Sequence, residues 1–235
     1  MKLQSLPALL GGNPYPGRGI VLGRSADNAA SIAAYFIMGR SENSRNRVFS
    51  ATNDGIRTKA FDASKMKDPS LIIYHPVRLL DGNLIVTNGD QTDTIWEALK
   101  QGKSFQSALA ERSFEQDPPH YTPRISGLLS KDGRFQLSIL KSADGRPDCC
   151  CRYFYAYQTP PAGEGRFLHT YAGDGDPLPS FEGEPVRVKL EAPDAQTLAA
   201  GIWDALNPDN RVSLFVRYTN LSDGNYQDAV INKNR

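Results

Sequence analysis

Long apolar runs are missing from this chain. None of its 235 residues belongs to a stretch approaching the roughly 20 apolar residues that span a bilayer. Cysteine is scarce, and its three copies are consecutive at Cys149, Cys150 and Cys151. Adjacent side chains do not converge on one tetrahedral metal, and no Cys-x-x-Cys or histidine spacing accompanies them. The same clustering argues against a disulfide framework, so they read as cytosolic thiols at the head of a strand. His75, His120 and His169 are scattered and form no metal motif. Excess charge is absent too. At a formal +1, the whole chain offers no electrostatic argument for nucleic acid or an acidic membrane as partner. Also lacking are a glycine-rich phosphate loop, a Ser-His-Asp order, a fixed-period repeat and a Gly/Ser linker. The opening MKLQSLPALLGGNPYPG has one lysine and a short apolar stretch broken by Ser5 and Pro7. It reads as an N-terminal arm (1–14), not a signal peptide, and gives a cytoplasmic expectation.

What is present suits one globular domain over 1–235. Hydrophobic residues make up 40% and charged residues 23%, enough to bury a core. GIVLGRS (19–25) and AASIAAYFIMGR (29–40) read as strands about the turn Ala26-Asp27-Asn28. RVFSAT (47–52) and IRTKAF (56–61) flank Asn53-Asp54-Gly55, a hairpin signal. LIIYHPVRLL (71–80) reads as a strand with Pro76 marking an edge or bulge, and Asp81-Gly82-Asn83 turns it into LIVT. Helices are expected over TDTIWEALKQG and SFQSALAERSFEQD (104–117), the second ended by Pro118-Pro119. RISGLLS and RFQLSIL form a hairpin. RYFYAYQT (152–159) is a strand with RFLHTYA (166–172) as its partner. VRVKLE (186–191), the Asp-capped helix DAQTLAAGIWDALN (194–207) and a last strand RVSLFVRYTNL (211–221) complete the order. Segregated strands and helices indicate α+β rather than alternating βαβ, with two antiparallel sheets face to face and helices outside.

Four places carry chemistry-bearing residues. RSENSRNR (40–47) has three arginines in eight residues, serving either a solvated turn or an anion cradle. Tyr74 and His75 sit mid-strand. Glu115 closes the second expected helix, where the dipole disfavours a carboxylate. Arg124 begins a strand after the prolines. NGDQTD (88–93) joins a strand to a helix. Thr92 or Asp93 would cap that helix, Gly89 frees the backbone, and the surplus polar groups form either solvated loop or pocket wall.

Taken in order, three segments resemble the archaeal-type IMP cyclohydrolase family. YPGRGIVLGRS followed by AAYFIMGRSENSRNR matches a Gly-Arg strand and an arginine-rich loop. DPSLIIYHPVRLLDGNLIVTNGDQTDTI matches N-P-x-x-x-Y-N-x-x-R and then S-N-G-x-x-T-D-x-I. SFEQDPPHYTPRISG matches Y-E-x-D-x-x-N-T-P-R-I. Glu42 to Arg45, His75-Pro76 and Asp90-Gln91 depart from the family pattern. The resemblance implies a four-layer αββα sandwich like that of N-terminal-nucleophile hydrolases. It implies closure of a formamido-imidazole-carboxamide ribonucleotide to inosine monophosphate with loss of water, needing neither metal nor cofactor. By the same resemblance Arg47, Tyr74 and Glu115 are catalytic, and Asn88, Asp93 and Arg124 contact substrate. A homo-oligomer is compatible with it. The competing readings are a purine nucleotide-binding or regulatory protein without turnover, an amide hydrolase with an N-terminal nucleophile, and a protein-interaction module.

Overall fold

The computed structural model describes residues 2–234 apart from 67, 68, 70 and 71. The chain opens with β1 (Gln4–Ser5) and α1 (Leu6–Gly12), followed by β2 (Arg18–Arg24) and β3 (Ala30–Met38). Next come the helical turn α2 (Glu42–Arg45), β4 (Arg47–Thr52), β5 (Gly55–Ala60), β6 (Val77–Leu80) and β7 (Asn83–Thr87). The helices α3 (Gln91–Lys100) and α4 (Phe105–Leu109) precede β8 (Arg124–Leu129), β9 (Phe135–Ser142), β10 (Cys150–Tyr157), β11 (Glu164–His169) and β12 (Val186–Lys189). The chain closes with α5 (Ala195–Ala205), β13 (Arg211–Asn220) and β14 (Tyr226–Asn232).

Among the described residues the strands form two seven-stranded sheets, ordered β1-β12-β11-β2-β3-β13-β14 and β10-β9-β8-β7-β6-β5-β4. Every pairing is antiparallel except β1 with β12. The alternation of side chains along β3 divides two cores. Ala33, Tyr35 and Ile37 face Phe49, Val77, Val86 and Ile139 of the second sheet. Ile32, Ala34, Phe36 and Met38 turn the other way, onto Leu6 and Leu10 of α1 and Leu198 and Ile202 of α5. The second sheet's outer face, with Ile85, Leu128 and Leu140, is covered by Ile95 of α3 and Phe105 and Leu109 of α4. The result is an α+β fold with two mostly antiparallel sheets and few helices.

Several expectations are corrected. The N-terminal arm holds a helix. Ser5 accepts from Ala8 N as N-cap, and Pro7 sits in the first turn, so the residues read as breaking an apolar run are helix-start signals. The strand expected over 71–80 shrinks to β6, with Leu71 outside the described residues. Pro76 has no N–H to donate to a ladder. Thr58 ties the preceding segment instead: its Oγ1 donates to Ile72 O, and its N–H donates to Tyr74 O at 2.9 Å. The helix expected over 104–117 stops at Leu109. Glu115 N–H donates to Thr122 O at 2.9 Å, so Glu115 lies in a loop and the helix-dipole argument does not apply to it. The segment 166–172 does not pair with 152–159, since β11 lies between β2 and β12 in the other sheet. Beyond the strand expected to be last, β14 adds an edge.

Candidate active site

One end of the two-sheet stack gathers the starts of β2, β4 and β8 with the loop 110–123. Arg18 begins β2. Gly17 before it has φ +75°, and a Cβ there would stand 2.3 Å from Thr170 Oγ1 and 2.5 Å from the Tyr171 ring. Only glycine lets the backbone pass that close. Arg47 begins β4 after α2, whose reciprocal Ser41–Ser44 capping box fixes the loop. Its Nε donates to Ser44 O at 2.8 Å. The side chain is only 1% exposed, yet Nη2 has no hydrogen-bond partner among the described residues. Tyr74, held on β5 by Thr58, shares a 2.9 Å contact between hydroxyls with Tyr35 of β3.

Glu115 is buried at 6% exposure, and its carboxylate has no hydrogen bond or ion pair to any described residue. Its loop is held by a chain of hydroxyls. Thr122 N–H donates to Asp117 Oδ1 at 2.7 Å, Thr122 Oγ1 lies 2.5 Å from Asp117 Oδ2, and the Tyr171 hydroxyl lies 2.6 Å from Thr122 Oγ1. A carboxylate only accepts, so Thr122 donates to Asp117 and Tyr171 donates to Thr122. Tyr171 stacks on Tyr15, with ring centroids 5.9 Å apart. A cavity of about 530 Å³ opens beside the same loop, with His120, Tyr121, Lys141 and Tyr153 among its walls.

The electrostatics tie these groups into one neighbourhood. Burial pushes the Glu115 carboxyl above the usual range, opposed by Arg18, Arg124 and Arg47, with Asp117 adding to the rise. Burial and the neighbouring Arg18 cation draw Arg47 below the usual guanidinium range, against Tyr74, Tyr35 and Tyr15. Burial also works against the Arg18 cation, but Tyr15, Tyr171, Glu115 and Tyr74 outweigh it and raise its value. Neither guanidinium has an ion-pair partner among the described residues. The structure thus brings Arg47, Tyr74 and Glu115 together.

The other three expected contacts fare differently. Asn88 is spent within the fold: Nδ2 donates to Pro123 O, and Oδ1 accepts from Ile125 N and from the Gln91 side chain at Nε2. Asp93 points elsewhere, 3.0 Å from Arg78 Nη1 and 3.8 Å from His75 Nδ1. Arg124 is within the field of Glu115 but already engaged, with Nη1 2.6 Å from Gln91 Oε1 and 2.7 Å from Asp90 Oδ1. Asp90 also takes Arg112 at 2.6 Å. Gly89 makes room for this, since a Cβ there would lie 2.3 Å from Arg124 Nη1. The expected cap of α3 by Thr92 or Asp93 is corrected. Asp90 is the N-cap without a side-chain cap bond, and Thr92 instead meets Thr87 Oγ1 at 2.6 Å. NGDQTD is therefore a polar junction between β7, β8 and α3, with Asn88, Gln91 and Thr92 buried and Asp90 and Asp93 exposed.

Sequence reading passed over Arg18 and Tyr35. Arg18 lies inside the quoted YPGRGIV, and Tyr35 breaks an otherwise aliphatic inward row with Ala33 and Ile37. Among the described residues no group of three or more His, Cys, Asp or Glu side chains is placed to hold a metal ion. Among the same residues no helix is long and apolar enough to cross a membrane.

Buried Arg47 and partly buried Arg18, neither in an ion pair among the described residues, lie near the buried Glu115 carboxyl and form the candidate site. Comparison with known proteins gives the family. The model of the IMP cyclohydrolase-like protein family matches residues 15–225, and the chain belongs to that family. A Halobacterium salinarum protein named IMP cyclohydrolase is 31% identical over 132 residues, covering 54% of this chain and 63% of the relative. A Methanopyrus kandleri protein of the same name is 27% identical over 189 residues, covering 72% and 89%. One from Methanococcus maripaludis is 32% identical over 126 residues, covering 52% and 61%. The matched stretch thus spans under two thirds of the Halobacterium relative's length.

Proposed function

We propose that this chain is an IMP cyclohydrolase, closing the ring of a formamido-imidazole-carboxamide ribonucleotide to inosine monophosphate. The observation that carries the reading is Glu115. It is a buried carboxyl with a raised pKa and no partner among the described residues, set in the field of Arg47 and its unpartnered Nη2. Family membership and the relatives' shared name support it. Ring closure joins the carboxamide nitrogen to the formyl carbon of the same molecule. The carboxamide nitrogen gives up one proton and the formamido nitrogen the other, and the formyl oxygen takes both and leaves as water. The chief demand is a fixed closing geometry, the next a relay for the protons. Glu115 assists proton transfer, Tyr74 orients or protonates the formyl oxygen, and Arg47 stabilises negative charge or the polar ring. Arg18 adds a second cation beside the same carboxyl. Purine biosynthesis, a cytoplasmic address, one domain over 1–235 and a homo-oligomer follow from the same reading. So does the four-layer αββα sandwich of N-terminal-nucleophile hydrolase type. The helices on the two outer sheet faces support that architecture.

The engagement of Arg124 by Asp90 and Gln91 favours a second reading, a purine nucleotide-binding or regulatory protein without turnover. Ultraviolet absorbance separates the two. Ring closure by the purified chain, lost in Glu115→Gln, is the expected result. Binding of inosine monophosphate without closure would leave the regulatory reading.

A further inference from the structure

Tyr35 is an anomaly in the core between the sheets. Its position in β3 is 0% exposed, between Ala33 and Ile37 on the inward row. Its ring stacks on Phe49 with centroids 5.8 Å apart. Phenylalanine would fill the same space without burying a hydroxyl, and a buried hydroxyl is costly unless bonded. The hydroxyl has one partner among the described residues, the Tyr74 hydroxyl at 2.9 Å. One proton lies between the two oxygens, and its owner decides what Tyr74 can do.

If Tyr74 donated, Tyr35 would keep its own proton in a dry core with no acceptor for it. If Tyr35 donates, its hydroxyl is satisfied and the Tyr74 oxygen is an acceptor. Tyr74's proton must then leave the core. The cations beside it, Arg47 and Arg18, carry donors only. The remaining direction is the side on which those arginines and Glu115 lie. Burial first, then the neighbouring Tyr74, hold Tyr35 well above the usual phenol range against Arg18 and Arg47, so its hydroxyl keeps its proton.

We infer that Tyr35 is a positioning residue: it donates to Tyr74 and thereby turns the Tyr74 hydroxyl proton toward the ligand. Tyr35 touches no ligand itself. The inference rests on the ring-closure reading for its kinetic consequence, but not for the direction of the hydrogen bond.

The test is Tyr35→Phe, alone and combined with Tyr74→Phe. The single variant is expected to lose about tenfold in kcat while KM and the affinity for inosine monophosphate stay within about twofold. On the Tyr74→Phe background the same change is expected to cost nothing further, since Tyr35 acts through the missing hydroxyl. A merely packing role would lower stability equally on both backgrounds. Unchanged kcat in Tyr35→Phe, or an equal loss on both backgrounds, overturns the inference. An isotope-labelled Cζ resonance of Tyr74 reads the bond directly. It is expected to move in Tyr35→Phe, and an unmoved resonance also overturns the assignment. Wild-type protein without turnover would remove the ring-closure reading and leave this resonance as the arbiter of the hydrogen bond.

Discussion

Asp90 Oδ1 lies 2.7 Å from Arg124 Nη1 and 2.6 Å from Arg112 Nη2, so one half-exposed carboxylate holds two arginines from different segments. Asp90→Ala leaves Arg112 and Arg124 as neighbouring cations with no carboxylate between them. Arg124 is almost buried. We predict a loss of about 1–2 kcal/mol in folding stability, less than for a fully buried pair because Asp90 reaches water. Denaturant unfolding measures it, and a variant as stable as wild type would mean that water already screens the triad.

Glu115→Gln keeps shape and removes the titrating group. Turnover is expected to fall by about 10²–10⁴-fold while inosine monophosphate still binds. Undiminished turnover would take Glu115 out of the chemistry.

The same variant has a stability signature. Folding raises the Glu115 pKa above its ordinary 4.5, so the folded state binds this proton more tightly than the unfolded one. The stabilisation is fully present below about 4.5 and is lost as pH rises through the raised folded value. Glu115→Gln should therefore gain on wild type as pH climbs above that range. Thermal melts across pH 4 to 8 check this, and parallel curves for the two proteins would refute the shift.

Arg47→Ala is expected to weaken inosine monophosphate binding, and Arg47→Lys to restore only part of it, because an ammonium lacks the planar fork. Titration calorimetry measures both. Binding equal to wild type in the alanine variant would place the ligand elsewhere.

His169 gives a contrasting pH response. It lies between Phe167 and Phe181, with ring centroids 4.7 and 4.6 Å away, and its Nδ1–H donates to Tyr171 O at 2.8 Å. Burial draws its pKa down from 6.5 to about 4, the backbone bond opposing. The fold prefers the neutral ring, so this contribution is complete above about 6.5 and drains away as pH falls toward 4. It amounts to on the order of 3 kcal/mol. His169→Phe should flatten the acid limb of stability between those values. An unchanged slope would assign the acid loss to other groups.

The hairpins were legible because their signals are local. Asn53-Asp54-Gly55 and the alternation along 30–38 need no distant partner to be read. The Asp194 cap of α5 was equally local, and its bond to Thr197 N is present at 2.8 Å. The expected helix over 104–117 failed because its far half is claimed by residues seven positions further along the chain. Phe114 packs edge-on to Tyr121, and Glu115 bonds Thr122. The strand expected over 71–80 failed because a threonine on another strand outcompetes a ladder that Pro76 cannot join. At the site, the family resemblance pointed to Arg47, Tyr74 and Glu115. Asn88 and Asp93 share the same motif, yet their side chains are consumed by backbone amides and by Arg78.

By itself the sequence determined the alternation, most of the turns and the Asp194 cap, and with them two sheets, outer helices and a short set of charged residues. Those are properties of neighbours along the chain. The tertiary structure alone decided which charges go unpaired, because a counter-ion such as Asp90 reaches Arg124 only across the fold. It also decided which way a shared proton points between Tyr35 and Tyr74, 39 residues apart. Burial and hydrogen-bond direction depend on what lies opposite in space, and no spacing along the chain encodes that.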